Sequence, residues 1–437
     1  MHGDQRGDVA VSVRDMVCLM RRAVFASVCP MLLAPALLLA QPPVPPPPGD
    51  SLALEAALTS LRRLASEGGW GTLPPGPVVR PGEGDPRLPL LRRRLERSGD
   101  LAVGEGPGGA ISPDSTVMDG GLVAAVRRFQ ARHGLDVDGV VGPATRRALN
   151  VPVEERIRQV ELNLERRREW RLQWDSIPSA PGSLRILVNV PGFQAWVLEE
   201  GRAPVVHRVI VGRVDRPTPL LEGRIHRLAL APYWNVPTSI FLRDKLPVLR
   251  QDPAWLSRQG MTVMDRSTGR PVADPPSDWN QIDPGEFNDR FWLRQDPGAG
   301  NALGLVKFIF PNPHGVYLHD TSDRHLFQRD RRALSSGCIR VERALELTER
   351  LLEGSGDWTA ARIREVAEGG VERWVELDEP VPIRLVYWTA WVDQWGMLHL
   401  NEDLYGLDAR PALGTESTLD IMEPVGDGGR ETVGECR

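Results

Sequence analysis

The sequence has only four cysteines among its 437 residues, and neither sign of charge dominates it. Its 53 basic and 58 acidic side chains give a formal charge of -5, which is too balanced for the surface that binds nucleic acid. Nucleotide-binding glycine loops, serine nucleophile elbows and paired metal-ligand motifs are absent, so we expect no cofactor and no metal. With 41% hydrophobic and 25% charged residues, the chain is instead typical of a globular protein of two or three domains.

An export signal is predicted over residues 1–40. Residues 23–40 are uncharged and apolar, two arginines precede them, and a proline-rich spacer follows at 41–50. Cleavage after Ala40 and retention as a membrane anchor stay open, and both place the body of the protein outside the cytoplasm. The true start codon is open as well, since a later methionine would suit the signal better.

The cysteines are unevenly distributed along the chain. Cys18 and Cys29 fall in or before the apolar segment and Cys436 is next to last, which leaves Cys338 as the single thiol of the folded body. A lone thiol in an oxidising compartment is either buried packing or is retained for its chemistry. The residues around Cys338 must decide between these two.

Hydrophobic periodicity predicts an α+β protein of several domains. Helical leucine spacing covers residues 51–66, at the start of a scaffold segment assigned to 51–86. Residues 87–150 contain three short amphipathic helices, the last beginning at Pro143 and ending at Leu149. A charged helix then forms the link over residues 151–182.

Strand patterns replace helical ones from residue 183 onward. Short apolar runs separated by turns, such as RILVNV and PVVHRVIVG, predict a mainly β domain over 183–406. Residues 241–290 interrupt this pattern with a polar, proline-rich, partly helical insertion, which is a candidate lid. The segment PVPIRLVYWTAWVD at 380–393 suggests a hairpin, and the acidic tail at 407–437 is expected to be disordered.

The small helical unit resembles a known family of wall-binding modules. Its string AVRRFQARHGLDVDGVVGPATRRALN contains, in order, the Phe-Gln, Gly-Leu, Asp-Gly and Gly-Pro-x-Thr elements of the peptidoglycan-binding domain family. The resemblance implies that residues 87–150 bind peptidoglycan. Phe129 is also what the core of so small a module requires, so the motif supports the domain more than any single contact.

The residue types needed for thiol chemistry occur together in the β domain. His319 precedes Cys338 by 19 residues, Gly337 stands directly before the thiol, and Arg340 follows it. An imidazole can take the thiol proton, a glycine lets the backbone approach a substrate, and an arginine adds positive potential. Spacing alone cannot establish contact, so a Cys–His pair and a buried structural thiol are equal alternatives on chemistry alone.

A second resemblance favours the Cys–His pair. A histidine, a gap of under twenty residues and the string SSGCIR match the signature of the L,D-transpeptidase family, the YkuD-like domains. RPTP at 216–219, PYWNVPTSI at 232–240, the stretch 297–320 and YWTAWVD at 387–393 resemble the large periplasmic, lid-bearing branch of that family. The resemblance implies a sheet or sandwich fold and an exported acyltransferase with a cysteine nucleophile.

The reaction that this resemblance implies joins two peptidoglycan tetrapeptide stems, one as donor and one as acceptor. The Cys338 thiolate would attack the carbonyl of the donor's third residue, a diaminopimelate, and release D-Ala. An acceptor amine would then convert the thioester into a 3-to-3 crosslink, with His319 as general acid and base. Many family members have His at the position of Ser336, whereas this chain has serine there, as the large branch does. This difference leaves open whether Asp320 or a backbone carbonyl orients His319.

Further residues are expected around this pair. The amides of Gly337 and Cys338 are candidates for the oxyanion hole, and Arg340 would bind a stem carboxylate or hold the loop. The remaining expected members of the pocket wall and substrate lining are Ser336, Tyr317, Trp234 and Asn235.

Other functions stay open at this stage. One is a peptidoglycan-binding scaffold with an inactive catalytic domain, and another is a thiol transpeptidase that attaches a lipoprotein or exchanges D-amino acids. Sortase-like enzymes need a much longer His-to-Cys gap and NlpC-type peptidases place Cys before His, so both fit less well. The native acceptor, activating partners and the oligomeric state cannot be inferred from the sequence.

Overall fold

The structure is a computed structural model that describes residues 51–102, 114–174, 183–393 and 395–409. The predictions for the export signal, for the proline-rich spacer and for most of the acidic tail therefore lie outside the described residues. Within the described ranges, no helix combines the length and the apolar character that crossing a membrane requires.

Helices form the first part of the described chain. In chain order they are α1 Ser51–Ser66, α2 Leu88–Arg97, α3 Gly120–Arg132, α4 Pro143–Leu149 and α5 Val153–Trp174. Helix α1 has the predicted bounds, and α4 begins at Pro143 and ends at Leu149 as predicted, so both predictions are confirmed. Helices α2 to α4 turn their apolar sides into one core that includes Leu95, Val126 and Phe129. The predicted three-helix unit is therefore present.

Helix α5 packs against α1 and connects the helical unit to the β domain. Leu54 and Leu58 of α1 meet Val160 and Leu164 of α5 in a hydrophobic cluster. The same cluster takes in Ala390, which lies near the end of the β domain. Helix α5 is therefore part of a shared core and not an isolated linker.

Most strands of the β domain form one sheet. In chain order the strands are β1 Arg185–Asn189, β2 Gln194–Leu198, β3 Val205–Gly212, β4 Glu222–Leu230, β5 Trp234–Asn235, β6 Met261–Asp265, β7 Phe291–Gln295, β8 Val306–Ile309, β9 Leu318–His319, β10 Ala333–Ser335, β11 Ile339–Val341, β12 Arg373–Val386, β13 Ala390–Val392 and β14 Leu398–Leu400. The main sheet has the order β10-β3-β11-β9-β8-β4-β12-β1-β2, and β2 pairs again with β3. The predicted mainly β domain is confirmed, and its sheet closes into a ring, which leaves fewer free edges than an open sheet.

Helices and turns surround these strands. They are α6 Thr238–Ile240, a π-helical turn Phe241–Lys245, α7 Leu246–Gln251, α8 Trp255–Arg258, α9 Pro284–Arg290, α10 Ala344–Leu351 and α11 Ala360–Glu368, with short 3-10 turns at Trp279–Gln281 and Arg324–Gln328. Helices α10 and α11 pack through Leu347 and Ile363 against one face of the main sheet. The opposite face of strands β8, β9 and β11 is thereby left for polar side chains.

The inserted segment is a small subdomain with its own core. Strands β5, β7 and β6 form a separate three-stranded sheet in that order. Phe241, Trp279 and Phe287 pack together beside it, with 4.7 Å between the ring centroids of Phe241 and Phe287. The sequence predicts an insertion over residues 241–290, whereas the subdomain also includes β5 and β7, because its sheet pairs these strands with each other and with β6.

The prediction of a hairpin within residues 380–393 is wrong. Strand β12 pairs antiparallel with β4 and parallel with β1, so it is a central strand of the main sheet. The hairpin occurs further along, between β13 and β14, where Ala390 lies opposite Leu400. A strand that is apolar on both faces indicates burial but gives no sign of which strand it pairs with.

Candidate active site

Reactive and charged side chains occupy neighbouring positions on one face of the main sheet. Strand register places Arg340 of β11 beside His319 of β9, and His319 beside Lys307 of β8. Cys338 and Tyr317 stand two residues before Arg340 and His319 respectively, and residues two apart along a strand share a face. Pairing of β9 with β11 thus brings the predicted Cys–His pair to one surface.

The loop that carries Cys338 is held by hydrogen bonds to its own backbone. Ser335 Oγ donates to the carbonyl oxygen of Cys338 at 2.6 Å and accepts from the amide of Gly337 at 3.2 Å. Thr218 Oγ1 donates to the carbonyl oxygen of Gly337 at 2.7 Å. Gly337 has a φ of +115°, a conformation that a residue with a side chain rarely adopts. These contacts fix the backbone on both sides of the thiol.

The imidazole of His319 is buried and is oriented by the main chain. Its Nδ1 lies 2.5 Å from the carbonyl oxygen of Asp320. Because a carbonyl oxygen can only accept a hydrogen bond, Nδ1 carries the hydrogen and Nε2 is left to accept a proton. Burial lowers the pKa of His319 to about 3, and the positive charge of Arg340 acts in the same direction. The ring is therefore neutral at neutral pH.

The carboxylate of Asp320 has other partners. It accepts a hydrogen bond from the amide of Leu305 at 3.0 Å and pairs with Arg324 at 2.9 Å. Of the two orienting groups that the sequence leaves open for His319, the structure has the backbone carbonyl in that position.

The thiol of Cys338 is half-buried and protonated at rest. Burial raises its pKa, while hydrogen bonding from Tyr317 and the positive charges of Lys307 and Arg340 oppose that effect. A neutral thiol and a neutral imidazole therefore share this surface. Among the contacts of the described residues, no hydrogen bond joins the two, and in resting enzymes such bonds commonly tighten only when substrate binds.

Arg340 and Tyr317 flank the pair in different ways. Arg340 Nη1 donates to Thr321 Oγ1 at 3.4 Å and to the carboxylate of Asp323 at 3.3 Å. The ring centroid of Tyr317 lies 5.7 Å from that of His319. Arg340 thus contacts the segment that follows His319, and Tyr317 lies beside the His319 ring.

Ser336 links the loop to the inserted subdomain. Arg216 Nη1 donates to Ser336 Oγ at 3.0 Å, and its two terminal nitrogens contact the carboxylate of Asp244 at 2.6 and 2.8 Å. Asp244 lies in the π-helical turn of the insertion, and Arg216 lies between β3 and β4. One guanidinium group therefore bridges the nucleophile loop and the candidate lid.

The two amides expected in the oxyanion hole differ in their availability. The amide of Gly337 donates to Ser335 Oγ, so it is already engaged. The amide of Cys338 has no acceptor among the described residues. Of the two donors, the Cys338 amide is therefore the one available to a substrate oxygen.

Trp234 and Asn235, expected as substrate lining, have different surroundings. Trp234 is 7% exposed in the core of the inserted subdomain, where the Lys245 ammonium lies 5.3 Å from its ring centroid. Asn235 is exposed and accepts a hydrogen bond from the indole of Trp292 at 3.1 Å. Trp234 is thus a core residue of the insertion, whereas Asn235 faces a cavity beside β8.

Sequence reasoning missed three residues of this region. Arg216 and Thr218 lie in the RPTP string, and Lys307 lies in the stretch 297–320, so the resemblance marked their segments without marking the side chains. Lys307 meets His319 through strand pairing, whereas Arg216 and Thr218 contact Ser336 and Gly337, more than 100 positions away. Only the three-dimensional arrangement identifies them.

Comparisons with known proteins match both predicted domains. Residues 183–366 match the family model described as "L,D-transpeptidase catalytic domain", and residues 85–149 match that described as "Putative peptidoglycan binding domain". A Haemophilus influenzae protein named "Putative L,D-transpeptidase" is 35% identical over 240 residues, which cover 54% of this chain and 47% of that protein. The chain thus spans about half the length of the curated relative that it matches. Both resemblances drawn from the sequence are confirmed.

Solved structures of similar proteins are more distant. An L,D-transpeptidase from Mycobacterium smegmatis is 14% identical, with 47% of this chain and 58% of that chain covered and a TM-score of 0.21. An L,D-transpeptidase from Xylanimonas cellulosilytica is 16% identical, with 72% and 100% covered and a TM-score of 0.20. Similarity at this level adds nothing to the family match.

Proposed function

We propose that the protein is an exported enzyme that forms 3-to-3 crosslinks in peptidoglycan, because its residues 183–366 match the model of the L,D-transpeptidase catalytic domain. The observation that carries the proposal is the placement of Cys338 and His319 on one sheet face, with the Nδ1 of His319 fixed by the Asp320 carbonyl. A peptidoglycan-binding domain in the same chain supports peptidoglycan as the substrate.

In the first half of the reaction, Cys338 takes the acyl group of a donor stem. The sulfur attacks the carbonyl carbon of the third residue while its proton passes to Nε2 of His319. The bond to D-Ala breaks, and His319 donates the proton that it took from the thiol to the departing nitrogen. The products are a thioester on Cys338 and free D-Ala. The amide of Cys338, which has no acceptor among the described residues, would stabilise the oxyanion that forms on the way.

In the second half, an acceptor stem resolves the thioester. The side-chain amine of its third residue loses a proton to His319 and attacks the thioester carbonyl. The carbon–sulfur bond breaks, and the sulfur recovers the proton from His319. One amide bond has been exchanged for another, so the reaction needs no cofactor and no energy source.

The neutral resting pair suits this sequence of steps. Because the pKa of His319 lies at about 3 and that of Cys338 is raised, the thiol keeps its proton until a substrate is present. A protonated thiol resists oxidation better than a thiolate does. We place the enzyme in the periplasm, where its substrate is found and where the predicted export signal would direct it.

The test is intact-mass spectrometry of the purified chain after incubation with disaccharide-tetrapeptide, with chromatography of the products. We expect a mass increase equal to the stem without its D-Ala, together with crosslinked dimers, and neither with Cys338→Ala. His319→Gln should also abolish both, whereas His325→Gln, which changes an exposed histidine nearby, should leave both intact.

The other outcomes separate the alternative functions. Peptidoglycan binding without an adduct and without D-Ala release would indicate a scaffold. An adduct that is resolved by free D-amino acids or by a lipoprotein amine, but not by a second stem, would keep the thiol chemistry and change the acceptor.

A further inference from the structure

The cavity that Asn235 faces lies beside the candidate active site, where the inserted subdomain meets the main sheet. It has a volume of about 220 Å³, which is far more than one water molecule needs. Strands β5 and β7 of the insertion form one side, and β8 with the start of β12 forms the other. Its lining consists of Tyr233, Asn235, Trp292, Arg294, Lys307, Glu372 and Trp374.

Strand register connects this cavity to His319. Trp374 of β12 lies opposite Ala229 of β4, Ala229 lies opposite Lys307 of β8, and Lys307 lies opposite His319. These residues form one row across the sheet on the same face, and the backbones of neighbouring strands are about 5 Å apart. Lys307 is therefore the member of the cavity that lies next to the site of the chemistry.

The ammonium group of Lys307 lies within the influence of the negative charge of Glu372 but forms no salt bridge with it. Its Nζ lies 3.8 Å from the ring centroid of Tyr317, and the described residues provide it with no hydrogen bond and no ion pair. Burial lowers its pKa, which reflects the cost of keeping this charge out of water. A ligand carboxylate in the cavity would offset that cost.

Glu372 gives the cavity a fixed negative charge. Its Oε1 accepts a hydrogen bond from the amide of Tyr233 at 2.9 Å, and its Oε2 accepts one from the indole of Trp374 at 3.0 Å. Each oxygen keeps a lone pair for a further donor. Arg294 faces the ring of Tyr233 at 4.3 Å and adds a second cation to the lining. The cavity thus combines both signs of charge with aromatic walls.

We propose that this cavity is a subsite for an amino-acid head group, meaning an ammonium and a carboxylate on one carbon, at the side-chain end of the donor stem's third residue. Lys307 binds the carboxylate and Glu372 binds the ammonium. This proposal rests on the proposed function, because it assigns the donor's position relative to Cys338. A side chain of a few methylene groups spans the single strand spacing from His319 to Lys307.

The test measures binding in the Cys338→Ala chain, so that no chemistry interferes. Calorimetry compares tetrapeptide stems whose third residue is diaminopimelate, diaminopimelate with its distal carboxyl amidated, or lysine. We expect about tenfold weaker binding for the stems with amidated diaminopimelate or lysine, because each loses one charge-assisted contact. Adding Lys307→Met should remove this preference, and Lys307→Arg should retain part of it.

Matched variants keep the result specific. Arg227→Met removes a cation that lies 4.7 Å from the ring centroid of Trp374 without lining the cavity, and it should leave the preference unchanged. If the Lys307→Met chain fails to fold, Glu372→Gln tests the proposed contact with the ligand ammonium. This variant should bind a stem with a free distal amine and a stem with an acetylated distal amine equally well.

Equal affinities for the three stems in the Cys338→Ala chain would overturn the subsite. A loss of affinity in the Lys307→Met chain that is the same for all three stems would also overturn it, because Lys307 would then contribute to binding without distinguishing the head groups. The mass experiment on the unsubstituted chain decides the proposed function separately, because adduct formation does not require any preference among donors.

Discussion

The Nδ1 of His319 lies 2.5 Å from the backbone carbonyl oxygen of Asp320, the next residue in the chain. The main chain therefore orients the imidazole, and within the part of the chain that the structure describes no carboxylate hydrogen-bonds to this ring. The Asp320 carboxylate instead accepts from the amide of Leu305 and pairs with the largely exposed Arg324. A side-chain substitution at 320 removes those contacts without removing the group that orients His319.

Asp320→Asn should accordingly preserve most of the activity. An amide oxygen can still accept from Leu305, and an ion pair with an exposed arginine contributes little. We expect kcat for D-Ala release within about threefold of the parent value, whereas a triad carboxylate typically accounts for a factor of about 10⁴. A fall of 100-fold or more, with an unchanged melting temperature, would mean that the carboxylate acts on His319.

The thiol of Cys338 should titrate at a higher pH than a free cysteine. Burial raises its pKa, so the reactive thiolate accumulates only above the usual range near 8.5. The rate of alkylation by iodoacetamide should be low at pH 7 and should climb through pH 9. Lys307→Met should shift the midpoint further upward, because a cation that favours the thiolate is lost. A midpoint below pH 8 would contradict the resting state described above.

Arg216→Lys should slow the reaction more than it destabilises the fold. The guanidinium of Arg216 contacts Asp244 through two nitrogens and also reaches Ser336, and a lysine cannot make that set of bonds. We expect about a tenfold loss of kcat, corresponding to one charge-assisted hydrogen bond. The control is Arg213→Lys, whose partner Asp215 is exposed, and it should stay within about twofold. Equal losses in both variants would refute the bridging role.

Thr218→Val tests the support beneath the nucleophile loop. The hydroxyl donates to the carbonyl oxygen of Gly337 and accepts from the amide of Gly212 at 2.8 Å, and valine has the same shape without either bond. Two buried backbone groups would lose their partners, at about 1–3 kcal/mol of unfolding free energy, measurable by urea denaturation. Thr268→Val, at an exposed turn, should change the unfolding free energy by less than about 0.5 kcal/mol.

The sequence predicts the local features of this protein better than it predicts the long-range contacts. His319 and Cys338 stand in one short segment, so the motif and its spacing identify them directly. Helix α1 and helix α4 have the bounds that leucine spacing and Pro143 predict, because helix formation depends on nearby residues. These features are local, and local patterns determine them.

Features that arise from strand pairing could not be predicted in the same way. The apolar segment 380–393, which contains the end of β12 and all of β13, predicts strands but not their partners. For that reason the sequence predicts the hairpin at a position before the one where it occurs. Lys307 reaches His319 only through the register of β8 with β9, and Thr218 reaches Gly337 across 119 positions. No periodicity in the sequence records such neighbours.

Helix α1 near the start of the described chain, and strands β13 and β14 near its end, share one hydrophobic cluster with α5. The peptidoglycan-binding domain lies in sequence between α1 and α5, so both of its ends are anchored to the β domain. A module on a flexible tether would search a volume set by the length of that tether. Here the packing of α1 and α5 against the β13–β14 hairpin, and not the length of a tether, sets the separation between that domain and Cys338.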